Sequence, residues 1–250
     1  MIKDIIKKAV ANKKCSICNS RVYNFKPISD EYLKNLQHKG FGIPGTNFET
    51  LNYQAYTCPV CGGNDRDRLV AYYLNGKLKT ADKNFKILEI APSTALKNYL
   101  FKNKTVSYRT TDLFMDDVDD KLDIQNMDLY TNGSFDLIIC SHVLEHIPND
   151  KQALKELYRI LKDNGECLLL VPIPLGNYEY DEDLGELTKE QREKRFGQDD
   201  HLRLYTKKTF EKRISEAGFK LKTFKGSEMS PADLKKYGIA DSSVLYIGIK

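Results

Sequence analysis

"FDLIICSHVLEHIPNDKQALKELYRILKDNGECLLLVP" (Phe135–Pro172) holds a strand, a helix and a second strand in succession. "SFDLIIC" (134–140) and "ECLLLVP" (166–172) are nearly unbroken apolar runs of strand length. Between them, "PNDKQALKELYRILKDNG" (148–165) puts Ala153, Leu154, Leu157, Ile160 and Leu161 on one stripe of a helix. Gly165 is expected at the C′ position that ends it. A strand, a crossover helix and a strand make one unit of a parallel sheet wrapped by helices.

The same alternation extends in both directions. "FKILEI" (85–90) reads as a strand and "STALKNYLFKN" (93–103) as a helix, with Pro92 expected at its first position. "TVSYRTTD" (105–112) and "KLDI" (121–124) read as two further strands. Helix "TKKTFEKRISEAGF" (206–219) precedes "GFKLKTFKG" and "SSVLYIGIK", which are expected to close the sheet as an antiparallel pair. The expected fold is therefore α/β, a Rossmann-like, seven-stranded, mostly parallel sheet with helices on both faces. Such sheets bind ligands at the carboxyl ends of their strands. Glu89 stands near the end of the first strand and Asp112 ends the second, 23 residues on. A carboxylate at the second position is placed to take both hydroxyls of a ribose. Asp123 and Ile124, at the third strand end, suit an adenine amino group and the ring face.

In order, "ILEIAPS", "YRTTDL", "LDI", "FDLIICSHVLEHI" and "ALKELYRILKDNGECLLLVP" resemble the class I S-adenosylmethionine-dependent methyltransferases, in their small-molecule-type branch. The resemblance covers roughly residues 84–250. It implies an enzyme with S-adenosyl-L-methionine as cofactor. Glu89, Ala91 and Ser93 would line the methionine end of that cofactor, Asp112 its ribose, and Asp123 with Ile124 its adenine. Cys140, Ser141 and His142 would form the wall beside the sulfonium and the acceptor. The family's usual E/D-x-G-x-G-x-G is replaced here by Glu89-Ile90-Ala91-Pro92-Ser93-Thr94-Ala95. A helix start can still receive the amino-acid carboxylate through its first N–H groups, and Ser93 and Thr94 add hydroxyls. A cofactor-free, inactive domain is the alternative.

Four of the six cysteines form two C-x-x-C pairs, Cys15/Cys18 and Cys58/Cys61, the second within "CPVCGG". Two such turns supply the four soft ligands of a closed structural zinc site of zinc-ribbon type, with no open position for catalysis. The 39 residues between the pairs exceed the usual ribbon and imply an inserted loop or hairpin. Disulfides or a redox pair are the alternatives. They fit less well, because "MIKDIIKKAVANKK" lacks the apolar core of a secretion signal and neither pair opens a βαβ helix. Cys140 and Cys167 lie inside apolar runs and read as core thiols.

Methyl transfer from a sulfonium needs an aligned acceptor, and a base only where the acceptor must lose a proton. His142 is the first candidate; Glu145 and His146 are read as orienting the loop. His201 and Arg203, in "FGQDDHLRLYT" (196–206), are the second pair, a base and an anchor for an anionic group. The family often has a related Gly-Gln-x-x-His-x-Arg-x-Tyr segment beside its active site. The bland reading of Arg203 is an ion pair with Asp199 or Asp200. Arg66 and Arg68, in "NDRDRLVAYYL" (64–74), could face the pocket and hold phosphate or pair with Asp65, Asp67 or acids across the interface; the structural reading is preferred, and His38 is read as a surface residue.

The expected organisation is an N-terminal helix and zinc module over residues 1–70, then a methyltransferase domain over 71–250, with residues 172–205 as a lid or substrate region. No run approaches the ~18 apolar residues of a membrane span. Ile2, Ile5, Ile6, Ala9 and Val10 instead share one face of a short helix, and the cytoplasm is the expected compartment. Residues 1–70 carry 11 Lys/Arg against 6 Asp/Glu. That excess suits a solvated surface or, alternatively, phosphate on a nucleic acid, a nucleotide-sugar or a lipid headgroup. A small or saccharide acceptor is the leading expectation, and an RNA acceptor presented by the zinc module the runner-up; the oligomeric state is not legible.

Overall fold

The computed structural model describes residues 12–81 and 83–250. The helix expected on Ile2 to Val10 lies outside them. Paired strands β1 (Lys13–Lys14) and β2 (Arg21–Val22) flank the first cysteine pair, and helices α1 (Asp30–His38) and α2 (Asp65–Lys77) follow. Then come β3 (Lys86–Ile90), α3 (Thr94–Lys102), β4 (Ser107–Asp112), β5 (Asp120–Lys121), β6 (Phe135–Ser141), α4 (Asp150–Ile160) and β7 (Leu161–Leu170). β8 (Asp181–Glu182), α5 (Lys189–Phe196) and β9 (Arg203–Leu204) make an excursion from the sheet. The chain closes with α6 (Lys207–Glu216), β10 (Lys220–Lys225), α7 (Pro231–Tyr237) and β11 (Val244–Ile249). Among the described residues no helix is long and apolar enough to cross a membrane.

The main sheet has seven strands in the order β10-β11-β7-β6-β3-β4-β5. Strands β3 to β7 run parallel, and β11 is antiparallel to both β7 and β10. This is the expected Rossmann-like arrangement. From β3 the chain adds β4 and β5 on one side, then returns to set β6 on the other. The order therefore reverses between β3 and β6, and a crevice opens there at the carboxyl ends.

Both sheet faces are apolar, which is why the strands read as continuous runs. Leu88, Ile90, Ile138, Cys140 and Leu169 pack with Ala153, Leu154, Leu157 and Ile160 of α4. Ile87, Leu137, Ile139, Leu168 and Leu170 pack on the other side with Leu69, Val70 and Leu74 of α2 and Ala95, Leu96 and Leu100 of α3. Each fully buried Leu or Ile contributes about 1.5–3 kcal/mol. Cys15, Ile17, Val22, Phe25 and Cys58 belong to this second cluster. The cysteine segment therefore shares its core with the sheet.

Three local expectations are corrected. Helix α4 ends at Ile160, and Leu161 is already extended (φ −76°, ψ 137°), because Gly133 N and Ser134 N capture the carbonyls of Arg159 and Ile160. Gly165 caps nothing. A Cβ there would sit 2.8 Å from both Leu161 Cγ and the Lys162 carbonyl, so the residue serves a close approach within β7. Helix α3 is capped by Ser93, whose hydroxyl accepts from Leu96 N (3.2 Å), which leaves Pro92 one position outside the helix. The third strand is only Asp120–Lys121. Asp123 Oδ1 accepts from Gln125 N (2.8 Å) and turns the chain away before Ile124.

Candidate active site

The crevice begins at the end of β3. Its alternation points Leu88 and Ile90 into one cluster and turns Glu89 to the opposite face. There Glu89 is 3% exposed and accepts from the Tyr108 hydroxyl. Burial pushes its carboxyl up to about 8. Ala91 follows in the left-handed region (φ 48°), with its N–H on the Thr111 carbonyl (2.9 Å). This is the turn for which glycine is the unstrained residue. Ala91→Gly is accordingly expected to raise stability by about 0.5–1 kcal/mol, net of the extra unfolded-state entropy, and a fall in the thermal midpoint would contradict it. Ser93, the α3 cap, also hydrogen-bonds the buried Asp67 of α2.

Asp112 ends β4 and receives the N–H groups of Phe114 and Met115 on Oδ1 (2.7 Å each). Its Oδ2 has no partner among the described residues. Leu113, Phe114 and Met115 beyond it are exposed, Phe114 by 84%. Asp123 is held by the main chain and side chain of Gln125, and Ile124 is buried. Cys140 is 1% exposed and packed in the core, with its thiol raised well above the ordinary value by burial. That side chain is packed into the apolar cluster with Leu88, Ile138 and Leu169, which corrects its placement in the wall beside a ligand.

His142 follows β6 with φ 56°, its N–H on the Leu170 carbonyl (2.8 Å). Strained non-glycine positions of this kind concentrate at functional sites. Arg66 Nη1 lies 3.0 Å from His142 Nδ1 and 2.8 Å from Nε2, and Arg66 Nη2 lies 3.4 Å from the Tyr56 hydroxyl. Burial and the adjacent guanidinium lower His142 to about 4, so its ring is neutral at neutral pH. A short 3-10 turn, Leu144–His146, brings Glu145 and His146 beneath it. His201 comes in from the loop before β9, its ring 4.7 Å from that of His146. Arg66, His142 and His201 line a cavity of about 720 Å³.

The rest of that cavity was not legible in the sequence. Residues 27–57, between the cysteine pairs, form one wall with Tyr32, Leu36, Lys39, Phe41, Phe48 and Tyr56. Glu49 N bonds the Ile173 carbonyl and Leu175 N the Asn47 carbonyl (2.9 Å each), which ties this wall to the chain leaving β7. Phe196 to Asp199 complete the far side. Lys39 and Glu193 pair across the top, joining the end of α1 to α5. The region expected as a lid thus has its own helix and strand pair and meets the insert. His38 is exposed, as expected.

Arg203 does not reach the cavity. It is 0% exposed, and donates to Glu182 Oε1 (2.9 Å) and to the carbonyls of Leu144 (2.7 Å), Ile147 and Pro148 (3.0 Å). It fixes the turn that carries Glu145 and His146, so the anchor role expected for it is withdrawn. Its acidic partners are Glu182 and Asp150 rather than Asp199 or Asp200. The cavity's arginine is Arg66, for which the pocket-facing alternative holds rather than the preferred structural one. Arg66 and Arg68 stand two apart on α2, about 200° around the helix, so one faces the cavity when the other faces the core.

Away from the cavity, Cys15, Cys18, Cys58 and Cys61 point their sulfurs at one another, all within 4.8 Å. Cys15 to Cys61 is 3.8 Å and Cys18 to Cys58 is 3.9 Å. Tetrahedral zinc with bonds of about 2.3 Å requires edges of about 3.8 Å, so the donor set fits that ion. Burial pushes Cys61 up to about 11, and backbone N–H groups of the knuckles point at Cys15 and Cys58. Two buried and two half-buried thiols would gain by sharing a cation. A Cβ on Gly63 would lie 3.1 Å from that of Ala95, so the second knuckle rests on the first turn of α3.

A family model described as "Methyltransferase domain" matches residues 30–223. No curated protein sequence matches the chain significantly. Among solved structures it is similar to the carbon methyltransferase of CurJ, with 17% identity over 73% of this chain and 53% of that one and a TM-score of 0.48. It is also similar to a SAM-dependent methyltransferase from Archaeoglobus fulgidus (13% identity, 74% and 94% covered, TM-score 0.47). A third is the phosphoethanolamine N-methyltransferase 2 of Haemonchus contortus (15% identity, 76% and 53% covered, TM-score 0.48). The chain spans about half the length of the first and third of these.

Proposed function

Because the chain belongs to the methyltransferase-domain family and is an enzyme of that class, we propose that it takes its methyl group from S-adenosylmethionine and passes it to a small, polar, carbohydrate-like acceptor. The observation that carries the acceptor class is the cavity of about 720 Å³ beside His142, roofed by the insert and by α5. Pockets of ~300–1,000 Å³ hold small molecules, and a folded RNA would need an open, basic surface. Lys39 and Arg66 among the lining residues suit an anionic group, and the aromatic rings suit a sugar or other flat apolar face.

The chain's residues fit the cofactor. Bound there, S-adenosylmethionine would supply an electrophilic methyl on its sulfonium. Glu89, Ala91 and Ser93 would hold the amino-acid end, Ala91 being small enough for close approach. Asp112 would take the ribose hydroxyls on Oδ2, while the loop of Leu113 to Met115 covers the nucleoside from solvent. Asp123 and Ile124 would meet the adenine. His142, neutral and oriented by Arg66, would face the acceptor with His201. Structural zinc on the four cysteines would brace α3, whose first turn receives the cofactor's carboxylate.

Asp112→Ala should weaken cofactor binding by about 1–3 kcal/mol, since it removes the acceptor for a ribose hydroxyl. Calorimetric titration with S-adenosylhomocysteine measures this, and an unchanged affinity would move the ribose elsewhere. The proposal as a whole is tested by incubating the protein with methyl-labelled cofactor and fractionated cell extract. Label in small metabolites supports it; label in RNA or protein overturns the acceptor class, and absence of saturable cofactor binding overturns the activity.

A further inference from the structure

Four buried polar atoms beside the cavity lack hydrogen-bond partners, and they converge. Glu145 is 0% exposed and His201 3% exposed, yet neither carboxylate oxygen nor either ring nitrogen makes a hydrogen bond. Glu145 Oε1 lies 3.1 Å from His142 Nδ1 without the alignment of one. A buried carboxylate with no donor costs several kcal/mol, and native structures retain such groups only for a reason. Donor atoms of Glu145, His146 and His201 lie within 4.8 Å of one another.

We propose that Glu145, His146 and His201 bind a divalent transition-metal ion at the floor of the cavity, a site separate from the cysteine cluster. The donor set is one carboxylate and two imidazoles, the chemistry of zinc, manganese, iron and cobalt rather than of calcium. His146 is already oriented for it. Its Nδ1 lies 3.2 Å from Asp200 Oδ2, which turns Nε2, 4.0 Å from Glu145 Oε1, toward the other two ligands. A carboxylate behind a histidine in this way fixes the tautomer and raises ligand basicity. Metal bonds of about 2.0–2.2 Å at tetrahedral angles set ligand atoms about 3.3–3.6 Å apart, so the 4.0 Å between Glu145 Oε1 and His146 Nε2 must close by roughly half an ångström as the ion binds.

The main chain is built to hold these residues together. Leu202 N donates to the Glu145 carbonyl (2.8 Å), which pins the His201 loop to the Glu145 turn, and buried Arg203 holds that turn from below. Three protein ligands leave coordination positions open. His201 and His142 both line the cavity, so those positions face the acceptor. The ligand class is therefore an acceptor with an oxygen donor, a hydroxyl or a carboxylate. This last step rests on the proposed methyl transfer; the metal site does not.

The test uses the full chain, stripped of metal with a chelator and titrated with Co²⁺. Two equivalents are expected, one showing the sulfur-to-cobalt charge-transfer absorption of the cysteine cluster and one without it. Glu145→Gln and His201→Ala should each keep the charge-transfer band, which reports intact folding. Each should weaken the second equivalent by more than the roughly 10- to 100-fold that loss of an outer partner costs. A single equivalent in the unaltered chain, or a second one that survives the double variant, overturns the site. Mn²⁺ bound to the unaltered chain should relax water protons through its open positions. Fast relaxation supports those positions and its absence overturns them. None of these readouts needs the cofactor, so failure of methyl transfer and failure of the metal site are separately visible.

Discussion

Cys58→Ser should cost the chain the metal of its cysteine cluster and several kcal/mol of stability, and the loss should reach the sheet. Zinc on four thiolates is worth ~10–16 kcal/mol in isolated zinc-binding peptides, and one serine removes both a thiolate and the tetrahedral set. Cys58 is 1% exposed, in the same apolar cluster as Leu69, Ile87, Ala95 and Ile247. Its knuckle also touches Ala95 in the first turn of α3 through Gly63. A loosened knuckle therefore frees the helix start proposed to receive the cofactor, and S-adenosylhomocysteine should bind more weakly as well. Elemental analysis with thermal unfolding measures the first effect. Retention of the sulfur-to-cobalt absorption at full strength in the variant would refute the four-thiolate set. A normal thermal midpoint after metal loss would show the cluster to be dispensable for the fold.

Arg68→Ala should be comparably damaging although Arg68 is neither one of the four cysteine-cluster residues nor a residue lining the cavity. Arg68 is 0% exposed in the interior between α2, the second knuckle and α7. Its Nε donates to the Tyr237 carbonyl (2.8 Å), Nη1 to those of Tyr56 (2.8 Å) and Gly63 (3.3 Å), and Nη2 to those of Gly238 (3.0 Å) and Ala55. Its guanidinium also lies 3.9 Å over the Phe25 ring. Removal takes a donor from five carbonyls, of which Gly63 keeps Cys58 N and Gly238 keeps Asn52 Nδ2, and opens a cavity. The expected loss is about 3–5 kcal/mol, a large part of the ~5–15 kcal/mol that a folded domain has in hand. For a chain of this size that lowers the thermal midpoint by roughly 10 °C. Arg68→Lys should restore little, since an ammonium cannot reach carbonyls on both sides of a planar fork. A loss under about 1 kcal/mol in the alanine variant would mean that water takes over the carbonyls.

What could be read from the sequence was what local chemistry decides. The stripe of Ala153, Leu154, Leu157 and Ile160, the apolar runs of β3, β6 and β7, and the spacing of the cysteines each state their structure within a few residues. What escaped depends on distant partners. Gly165 looks like a helix cap, but its surroundings are set by Leu161 and by the end of the chain, where Asn164 N bonds the Lys250 carbonyl. The insert gave no sign of lining the cavity, because Glu49 meets Ile173 and Asn47 meets Leu175 across more than 120 residues. Arg66 and Arg203 both stand among acids in sequence, and only the rotation of α2 and the burial of β9 sort them. Glu145 was read as an orienting residue, since nothing local reveals that a carboxylate will be buried without a donor.

The two cysteine pairs bring residues 18 and 58 side by side, so the segment between them, β2 and α1 included, leaves and returns at one point. Its exposed positions can change while both feet stay beside the sheet and Asn47 and Glu49 keep their bonds to the chain leaving β7. Under the proposed function, selectivity for the acceptor can thus diversify at the cavity-facing residues of one segment, with the residues proposed for the cofactor left untouched.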